Sequence, residues 1–470
     1  MNKKIQTISM TALVLLIVGA IDSVRNLPGT ALFGSSMIFF IIFAALVFLV
    51  PCALVSAELS SAWTKNGGVY GWIKKAFGKE CAFISIWLQW INTLIWFPTI
   101  LSFIAGTLAY LISPNLAHNK AYLLGIILSF FWGNTLLNLK GVRVSALFAS
   151  VCAFIGMVLP MALIIGLGVY WVISGHVSHV EFTASQMLPH FDSSEVWVSL
   201  TTIMASYLGI ELAVVHARDV KNPQKTFPKA LAISAIVIVA TMMLGSLSIA
   251  IVLPHDEISL VAGVMQAFSA FFASYHWGGV LPWITFMIVL GSIGGMVNWI
   301  ISPVKGLLFA AQDEQLPVAL TKKNKNGVPA RLLLLQAVIV SVVSMVFLLL
   351  PSVNSSYWFL TALSTELYML MYVILFLAAI KLRYSASEQP RPFKVPGGNV
   401  GMWLTGLIGV GGCSVTLIVG FFPPEGIFDS GGALYDLMFV AGLVGMCLPP
   451  FLLLWFERFK SISTPVPTGP

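Results

Sequence analysis

Long apolar runs separated by short polar stretches make up nearly the whole chain. The runs recur from Ile8 to Phe456, and a span of the bilayer core needs roughly 20 such residues. They do not alternate between apolar and polar positions, as the strands of a membrane barrel do. The pattern therefore predicts an all-α membrane protein with twelve transmembrane helices, at residues 8–33, 37–62, 82–112, 121–138, 145–174, 194–214, 229–253, 280–309, 330–350, 356–381, 402–422 and 434–456.

The composition agrees with this class. Hydrophobic residues account for 58% of the 470 residues and charged residues for only 9%, whereas a soluble domain has about 25% charged residues. The first apolar run lacks a small-residue cleavage site, so we interpret it as a retained span and not as a signal peptide. The five cysteines lie in apolar segments without metal or redox spacing. We predict no cofactor, no bound metal and no nucleic-acid partner; the lipid bilayer is the expected surrounding.

The distribution of basic residues predicts the orientation. Of the 25 Lys and Arg residues, 22 fall at the two termini or in loops that follow even-numbered spans. Lys120 alone falls on the other side, and Arg25 and Lys305 fall within spans. Because cytoplasmic loops carry an excess of Lys and Arg, we predict that both termini are cytoplasmic, in a bacterial inner membrane. The loop 254–279 contains the apolar stretch "SLVAGVMQAFSAFF", which we expect to form an interfacial or re-entrant helix.

Six ionisable residues fall within predicted spans, where each costs about 2.5–3.5 kcal/mol on insertion scales and is a candidate for function. Two of them, Glu58 and Lys305, lie toward the cytoplasmic side, where we expect a structural ion pair or snorkelling. Three others lie nearer the middle of their spans. The six are Asp22, Arg25, Glu58, Glu211, Lys305 and Glu366.

Two of the spans carry signs of interruption. "DSVRNLPG" in the first span contains Pro28 and Gly29, and "SYLGIELAV" in the sixth places Gly209 two residues before Glu211. Interrupted helices at matching positions of two halves indicate a transporter binding site, because a membrane helix unwinds only where its backbone groups face protein, water or ligand.

The interrupted spans are five apart, which fits a five-plus-five inverted repeat followed by two extra helices. Only this spacing suggests the repeat. The predicted organisation is a cytoplasmic N-terminus at 1–7, a first repeat at 8–175, a second repeat at 193–381, two further spans at 402–456 and a short cytoplasmic tail at 457–470.

Such breaks expose helix N-termini, whose amides and dipole attract an anion such as a carboxylate. Arg25 is suited to bind that carboxylate in a bidentate manner, or it pairs with Asp22 three residues earlier; both interpretations stay open. Asp22 is in turn suited to hold a substrate ammonium, so an amino acid zwitterion is the expected guest. Glu211 is either a proton-responsive group or a structural acceptor for backbone groups at the break.

Several longer motifs resemble the amino acid–polyamine–organocation permease superfamily. The most specific are the Gly-Gly-x-Tyr element in "AELSSAWTKNGGVYGW" (57–72) and the Asp-Val-x-Asn-Pro element in "SYLGIELAVVHARDVKNPQKTFPKA" (206–230). "KNKNGVPARLLLLQ" (323–336) and "RPFKVPGG" (391–398) extend the likeness. "GVMQAFSAFF" and "NWIISPVKGLLFAAQ" are most similar to the bacterial glutamate/γ-aminobutyrate antiporter branch.

The resemblance implies a LeuT-type fold, alternating access and a midplane site between the first and sixth spans. By position it implies that Glu211 is tied to proton sensitivity and that an aromatic stands near the pocket at Trp299. Trp96, in "IWFPTI", is a further aromatic candidate, with plain packing as its alternative. The implied substrate-binding set, together with the charged residues at the first break, is Asp22, Ser23, Val24, Arg25, Asn26, Trp96, Gly209, Ile210 and Trp299.

Some positions depart from the superfamily. "DSVRN" replaces the Gly-rich turn of arginine/agmatine exchangers, and Ala205 stands where those exchangers have an aromatic gate. The glutamate antiporters have uncharged residues at the positions of Asp22 and Arg25. They also have a long C-terminal plug, for which "RFKSISTPVPTGP" is too short, so we do not expect that form of acid gating. Ser150 stands where some proton-coupled relatives have a lysine, which leaves the coupling ion open.

The predicted function is a secondary active transporter of amino acids, either an antiporter or a proton-coupled permease. Two alternatives are a permease for polyamines or other amines and a transporter-like nutrient sensor, although neither terminus carries a signalling extension. A channel filter and the nucleophile–base or metal sets of an enzyme are not apparent, so no enzymatic activity is expected. A homo-oligomer is compatible with the sequence, which does not determine the oligomeric state.

Overall fold

The computed structural model describes residues 9–63, 68–141, 151–152, 154–188, 194–211, 222–313, 315–422 and 433–463. Within these ranges all regular structure is helical. The main α-helices are α1 (Met10–Ile21), α2 (Leu27–Ala31), α3 (Met37–Ala44), α4 (Val50–Ala62), α5 (Val69–Phe77), α6 (Lys79–Ile112), α7 (Lys120–Leu139), α8 (Leu159–Ile173), α9 (Ser194–Ser206), α10 (Pro223–Val252), α11 (Gly263–Ser274), α12 (Leu281–Gln312), α13 (Ala330–Ser344), α14 (Val353–Ser385), α15 (Gly398–Val419) and α16 (Ala433–Ser463).

Ten helical segments of the described chain are long and apolar enough to cross a membrane. They are Met10–Ala31, Gly34–Ala62, Lys79–Ile112, Lys120–Leu139, Phe154–Ile173, Pro228–Val252, Ala330–Leu349, Val353–Ser385, Gly398–Val419 and Leu434–Phe456. Each coincides with a predicted span.

The other two predicted spans, 194–214 and 280–309, correspond to α9, which has 13 residues, and to α12, which has 32 residues. A multi-pass helical membrane protein is therefore confirmed. The count of twelve and the inverted repeat stay predictions.

Contacts between helix ends agree with the predicted alternation of direction. Arg383 near the end of α14 pairs with Glu58 near the end of α4, with 2.7 Å between Nη1 and Oε1. The start of α7 instead meets the connection after α13, where Lys120 Nζ donates to the carbonyl of Leu350 at 2.6 Å. The end of the tenth predicted span thus contacts the end of the second, and the start of the fourth contacts the end of the ninth. Both contacts agree with spans that alternate in direction.

The apolar stretch of the loop 254–279 forms a helix, α11, as predicted. Its residues Val264, Met265, Phe268 and Phe271 are buried, and the helix packs on α2, α10 and α12. A loop segment therefore covers the short helix that follows the first interruption.

Both predicted interruptions are present. α1 ends at Ile21, and Asp22 (φ −70°, ψ 137°) and Ser23 (φ −155°, ψ 131°) are extended before a 3₁₀ turn over Val24–Asn26 leads into α2. α9 ends at Ser206 and is followed by a turn in which Gly209 has φ 101°. The first span is thus interrupted at the predicted residues, and the helix of the sixth predicted span ends just before Gly209.

Gly209 adopts a backbone conformation that residues with a Cβ avoid. We expect Gly209→Ala to destabilise the protein by about 1–2 kcal/mol, the usual cost of a left-handed conformation for an L-residue. Gly19→Ala is the matched control, because Gly19 lies in α1 and no described atom comes within 4 Å of the place that its Cβ would take; it should be neutral or slightly stabilising. Thermal unfolding in detergent measures both; equal effects would contradict the assignment of strain to Gly209.

A polar contact outside the spans joins α5 to the end of α12. Lys74 Nζ lies 2.6 Å from Asp313 Oδ2, and Tyr70 O–H donates to the same carboxylate. The hydrogen bonds from Lys74 and Tyr70 lower the pKa of Asp313, and burial with the same carboxylate raises the pKa of Tyr70. The contact is a partly exposed ion pair, which is usually worth no more than about 1 kcal/mol.

This ion pair predicts a pH dependence of stability. Because the pKa of Asp313 is lower in the folded state, its contribution is present above the unfolded pKa of about 3.9 and is lost as the pH falls through the folded value. We therefore expect Asp313→Asn to lower the unfolding temperature at neutral pH, and the difference from wild type to vanish on acidification below about pH 4. A difference that grows in acid would contradict this sign.

Candidate substrate-binding site

The first interruption is built locally by Ser23 and Pro28. Ser23 Oγ accepts a hydrogen bond from the Arg25 N–H at 3.3 Å and so caps the 3₁₀ turn. Pro28 has no N–H to donate, and it stands in the first turn of α2, where a missing donor is tolerated. The chain therefore changes direction between α1 and α2, and Arg25 becomes buried between helices.

The second interruption is held by Tyr372 of α14. Its hydroxyl accepts the N–H of Gly209 at 3.0 Å and donates to the carboxylate of Glu211. One side chain thus satisfies a backbone group freed by the turn and a carboxylate two residues further on. These hydrogen bonds are required in the membrane, because an unpaired backbone group there costs several kcal/mol.

A small cavity of about 30 Å³ lies beside the two interruptions. Its walls come from the 3₁₀ turn and α2, from α6, from α9 and the turn after it, and from α14. The lining residues are Arg25, Asn26, Gly29, Trp96, Thr99, Thr202, Ala205, Leu208, Tyr357, Thr361, Ser364 and Thr365. This volume accommodates a water molecule but no amino acid, so the structure represents a closed form of the site.

Arg25 is the only charged residue among the described residues of the cavity wall. Its Nη1 donates to Thr99 Oγ1 at 2.7 Å and reaches the Tyr357 hydroxyl at 3.5 Å. The guanidinium lies over the Trp96 ring, 5.2 Å from the ring centroid, in a cation–π contact. The cation is therefore oriented by neutral groups and retains its positive charge for a ligand.

Asp22 lies outside the cavity. Its Oδ2 accepts from Thr241 Oγ1 of α10 at 2.6 Å, and it makes no ion pair with Arg25, although both residues are described and buried. The two charges point to different helices because the backbone between them is extended and not helical. The sequence left open whether Arg25 pairs with Asp22 or binds substrate. In this conformation Arg25 and Asp22 do not pair with each other.

Several buried polar atoms in the cavity wall have no hydrogen-bond partner among the described residues. They are Arg25 Nε, Thr202 Oγ1 and Thr361 Oγ1. Buried polar atoms are normally paired, and an unpaired group calls for an explanation such as a ligand. Donors and acceptors from three separate elements thus converge on one closed cavity.

The other predicted site residues are placed as follows. Asn26 and Trp96 line the cavity with Arg25. Ser23 caps the turn, and Val24, Gly209 and Ile210 support the interruptions without lining the cavity. Trp299 lies within α12, but its side chain, like that of Lys305, is outside the described residues, as is Ser150.

Sequence reasoning missed the hydroxyl groups that α14 contributes. In "TALSTELY", Thr361, Ser364, Thr365 and Tyr368 recur at spacings of three and four residues, which places them on one face of a helix. A polar stripe on an otherwise apolar span is a signal that could have identified this wall. Thr99 and Thr202 are single threonines in apolar helices and carry no such signal.

Glu211 lies next to the cavity, in a separate polar cluster. Its Oε1 accepts from the Tyr368 hydroxyl at 2.5 Å and from Gln89 Nε2 at 3.2 Å, and its Oε2 accepts from Tyr372. Tyr368 and Tyr372 continue along α14 from the cavity wall. The carboxylate is thus a structural acceptor at the break, and its proton-sensing role stays a prediction.

The ion pair that was expected for Glu58 is present. Arg383 Nη1 lies 2.7 Å and Arg391 Nε 3.2 Å from Glu58 Oε1, and the Val395 N–H donates to Oε2 at 2.7 Å. A buried carboxylate with two cations and a backbone donor is fully compensated. This group joins α4 to α14 and to the loop after it, and Arg383 lies far along α14 from the residues that line the cavity.

Comparison with known proteins gives the family. A sequence model described as amino acid permease matches residues 8–448. An uncharacterized transporter of Legionella pneumophila is 44% identical over 456 residues, which cover 96% of this chain and 97% of that protein. A glutamate/gamma-aminobutyrate antiporter of Lactococcus lactis is 27% identical over 96% of this chain and 91% of its own. A probable agmatine/putrescine antiporter of the same species is 29% identical over 78% of each chain.

The chain belongs to the amino acid permease family. The resemblance noted in the motifs is thereby confirmed. As a family member the protein is a membrane transporter, and it is not an enzyme. The cavity beside the two interruptions is its candidate substrate site.

The double role of Tyr372 predicts a large effect of a small change. Tyr372→Phe leaves the Gly209 N–H without an acceptor and removes a donor from Glu211, so we expect a loss of about 1–3 kcal/mol, the cost of unsatisfied buried groups. Tyr384→Phe is the control: its hydroxyl accepts from Trp403 at 2.8 Å in an exposed setting, and its loss should cost less than about 0.5 kcal/mol. Equal shifts in unfolding temperature would contradict this role for Tyr372.

Proposed function

We propose that the protein is a secondary transporter of amino acids and that Arg25 binds the carboxylate of the substrate. The observation that carries the proposal is the placement of Arg25 as the sole charge among the described residues that line a closed, hydroxyl-rich cavity beside two interrupted helices. Orientation of the guanidinium by Thr99 and Trp96 leaves its Nε unused by the described residues. A carboxylate is the natural partner, because Arg pairs with it through charge-assisted hydrogen bonds.

The same cavity favours zwitterions over amines. A cationic ligand within about 4 Å of the guanidinium would be repelled by about 4 kcal/mol at the effective dielectric of a protein surface, and the described cavity wall holds no compensating carboxylate. Asp22, the nearest candidate counter-charge, faces α10. The proposed site for the substrate ammonium is therefore the set of neutral acceptors Thr202, Thr361 and Ser364. Among the relatives, the glutamate/gamma-aminobutyrate exchanger is the better guide to the substrate than the agmatine/putrescine one.

We propose alternating access as the mechanism, and the closed state of the cavity supports it. About 30 Å³ cannot admit an amino acid, so the cavity must enlarge before substrate binds. The two interruptions are the flexible points of their spans, since neither has a continuous helical hydrogen-bond ladder. We propose that the outer and inner halves of these spans move separately within a LeuT-type repeat of twelve spans, with both termini in the cytoplasm of a bacterial cell.

The test is counterflow with purified protein in liposomes that are preloaded with glutamate or γ-aminobutyrate. Arg25→Ala removes a charged hydrogen bond worth about 1.5–3 kcal/mol, so we expect uptake of labelled substrate to fall at least about tenfold. Arg25→Lys should also be impaired, because lysine lacks the planar fork that stacks on Trp96.

Two controls sharpen this test. Arg331→Ala removes an exposed arginine that donates to the carbonyl of Ala319, and it should transport normally. Asp22→Asn keeps an acceptor for Thr241, and it should retain most of the uptake. Wild-type rates in folded Arg25→Ala, or a loss in Asp22→Asn as deep as in Arg25→Ala, would contradict the assignment.

A further inference from the structure

One intramembrane carboxyl group is unlike the others. Glu58 forms ion pairs with two arginines. Glu211 accepts hydrogen bonds from three side chains, and Asp22 accepts one from Thr241. Glu366, in the middle of α14, is fully buried, and neither of its oxygens has a hydrogen-bond partner in the described part of the chain. An ionised carboxylate without a partner is very costly in an apolar environment, so the uncharged acid is the form that fits this position.

The surroundings of Glu366 reinforce this conclusion. Its carboxyl group lies against Gly420 at the end of α15, so closely that a Cβ on Gly420 would overlap Oε1. The end of a helix carries unpaired carbonyls and a partial negative charge, which repel a carboxylate, whereas a carboxylic acid can donate a hydrogen bond to such a carbonyl. The position therefore selects the protonated group.

No positive charge faces Glu366 from the described residues of the helices around it. The titratable groups that interact electrostatically with it are Cys413 of α15 and Tyr435 of α16, and Asp436 follows Tyr435 in the sequence. The Tyr435 hydroxyl already donates to the carbonyl of Gly420 at 2.7 Å. The sequence 423–432 after α15 also contains no Lys or Arg.

Glu366 shares its helix with the proposed substrate site. Thr361, Ser364 and Thr365 of α14 line the cavity, and Tyr368 and Tyr372 hold Glu211. In a helix with 3.6 residues per turn, Glu366 projects away from Thr361, Tyr368 and Tyr372, toward α15 and α16. A movement of α14 relative to α15 that enlarges the cavity would also alter the contact between Glu366 and Gly420.

We propose that Glu366 is the proton-binding site that couples transport to a proton gradient. In one state of the cycle, water that reaches the seam between α14 and α15 at Gly420 delivers a proton to the carboxylate. In the other state, the carboxylic acid releases that proton on the opposite side of the membrane. The inference rests on the proposed transport function, and it names the proton as the ion whose gradient drives transport.

The experiment compares two activities in the same liposomes. Counterflow of labelled substrate needs no net proton movement, whereas proton influx on addition of substrate is followed with a pH-sensitive dye inside the vesicles. We expect wild type to show both, and Glu366→Gln to keep counterflow while it loses the substrate-dependent proton influx. Asp436→Asn, which removes an exposed acid one residue from Tyr435, should keep both.

Different outcomes would contradict the proposed role of Glu366 and the proposed transport function. Substrate-dependent proton influx that persists in Glu366→Gln, or that is absent in wild type with normal counterflow, would overturn the assignment of Glu366 and leave the transport function intact. Absence of counterflow in wild type would instead remove the transport function itself. Glu366→Met provides a second variant. Loss of folded protein in both variants would also overturn the proposal, because it would assign the Glu366 carboxyl group a structural role.

Discussion

The structure depends on one constraint: a helix that breaks inside a membrane must have its freed backbone groups paired by protein. Ser23 meets this need at the first break by capping the 3₁₀ turn, and Tyr372 meets it at the second by accepting the N–H of Gly209. Since unpaired groups cost several kcal/mol each in hydrocarbon, the breaks persist only while these partners stay in place. The cavity exists because the chain is broken there.

α14 connects the polar features of the membrane interior. One face supplies Thr361 and Thr365 to the cavity and Tyr368 and Tyr372 to Glu211. The opposite face carries Glu366 toward α15, and the end of the helix carries Arg383 to Glu58. A single helix of 33 residues thus touches the proposed substrate site, two further carboxyl groups and the ion pair that ties it to α4. Rigid movement of this helix would change all of these contacts together.

Local signals made the spans and the two breaks predictable. Hydropathy over about 20 residues marks a span, and Pro28, Gly29 and Gly209 are signals that a helix is interrupted nearby, although Pro28 and Gly29 themselves lie in α2 just after the break. The direction of each charged side chain was not predictable, because Asp22 and Arg25 are separated by extended backbone and not by a helical turn. Helical spacing would have paired them, whereas the break sends one to Thr241 and the other to Thr99. The partners of Glu58 were likewise set by tertiary packing of distant segments, although the ion pair itself was expected.

The cavity beside the breaks is proposed to hold a carboxylate against Arg25, and this is the central claim. The most direct measurement is calorimetric titration of the purified protein with γ-aminobutyrate and with its carboxamide, which differ only in the charge at the acid end. Binding through Arg25 predicts that the acid binds at least about tenfold more tightly, the equivalent of one charge-assisted hydrogen bond. It also predicts that Arg25→Ala abolishes this preference. Equal affinities for the acid and the amide in wild type would contradict the claim.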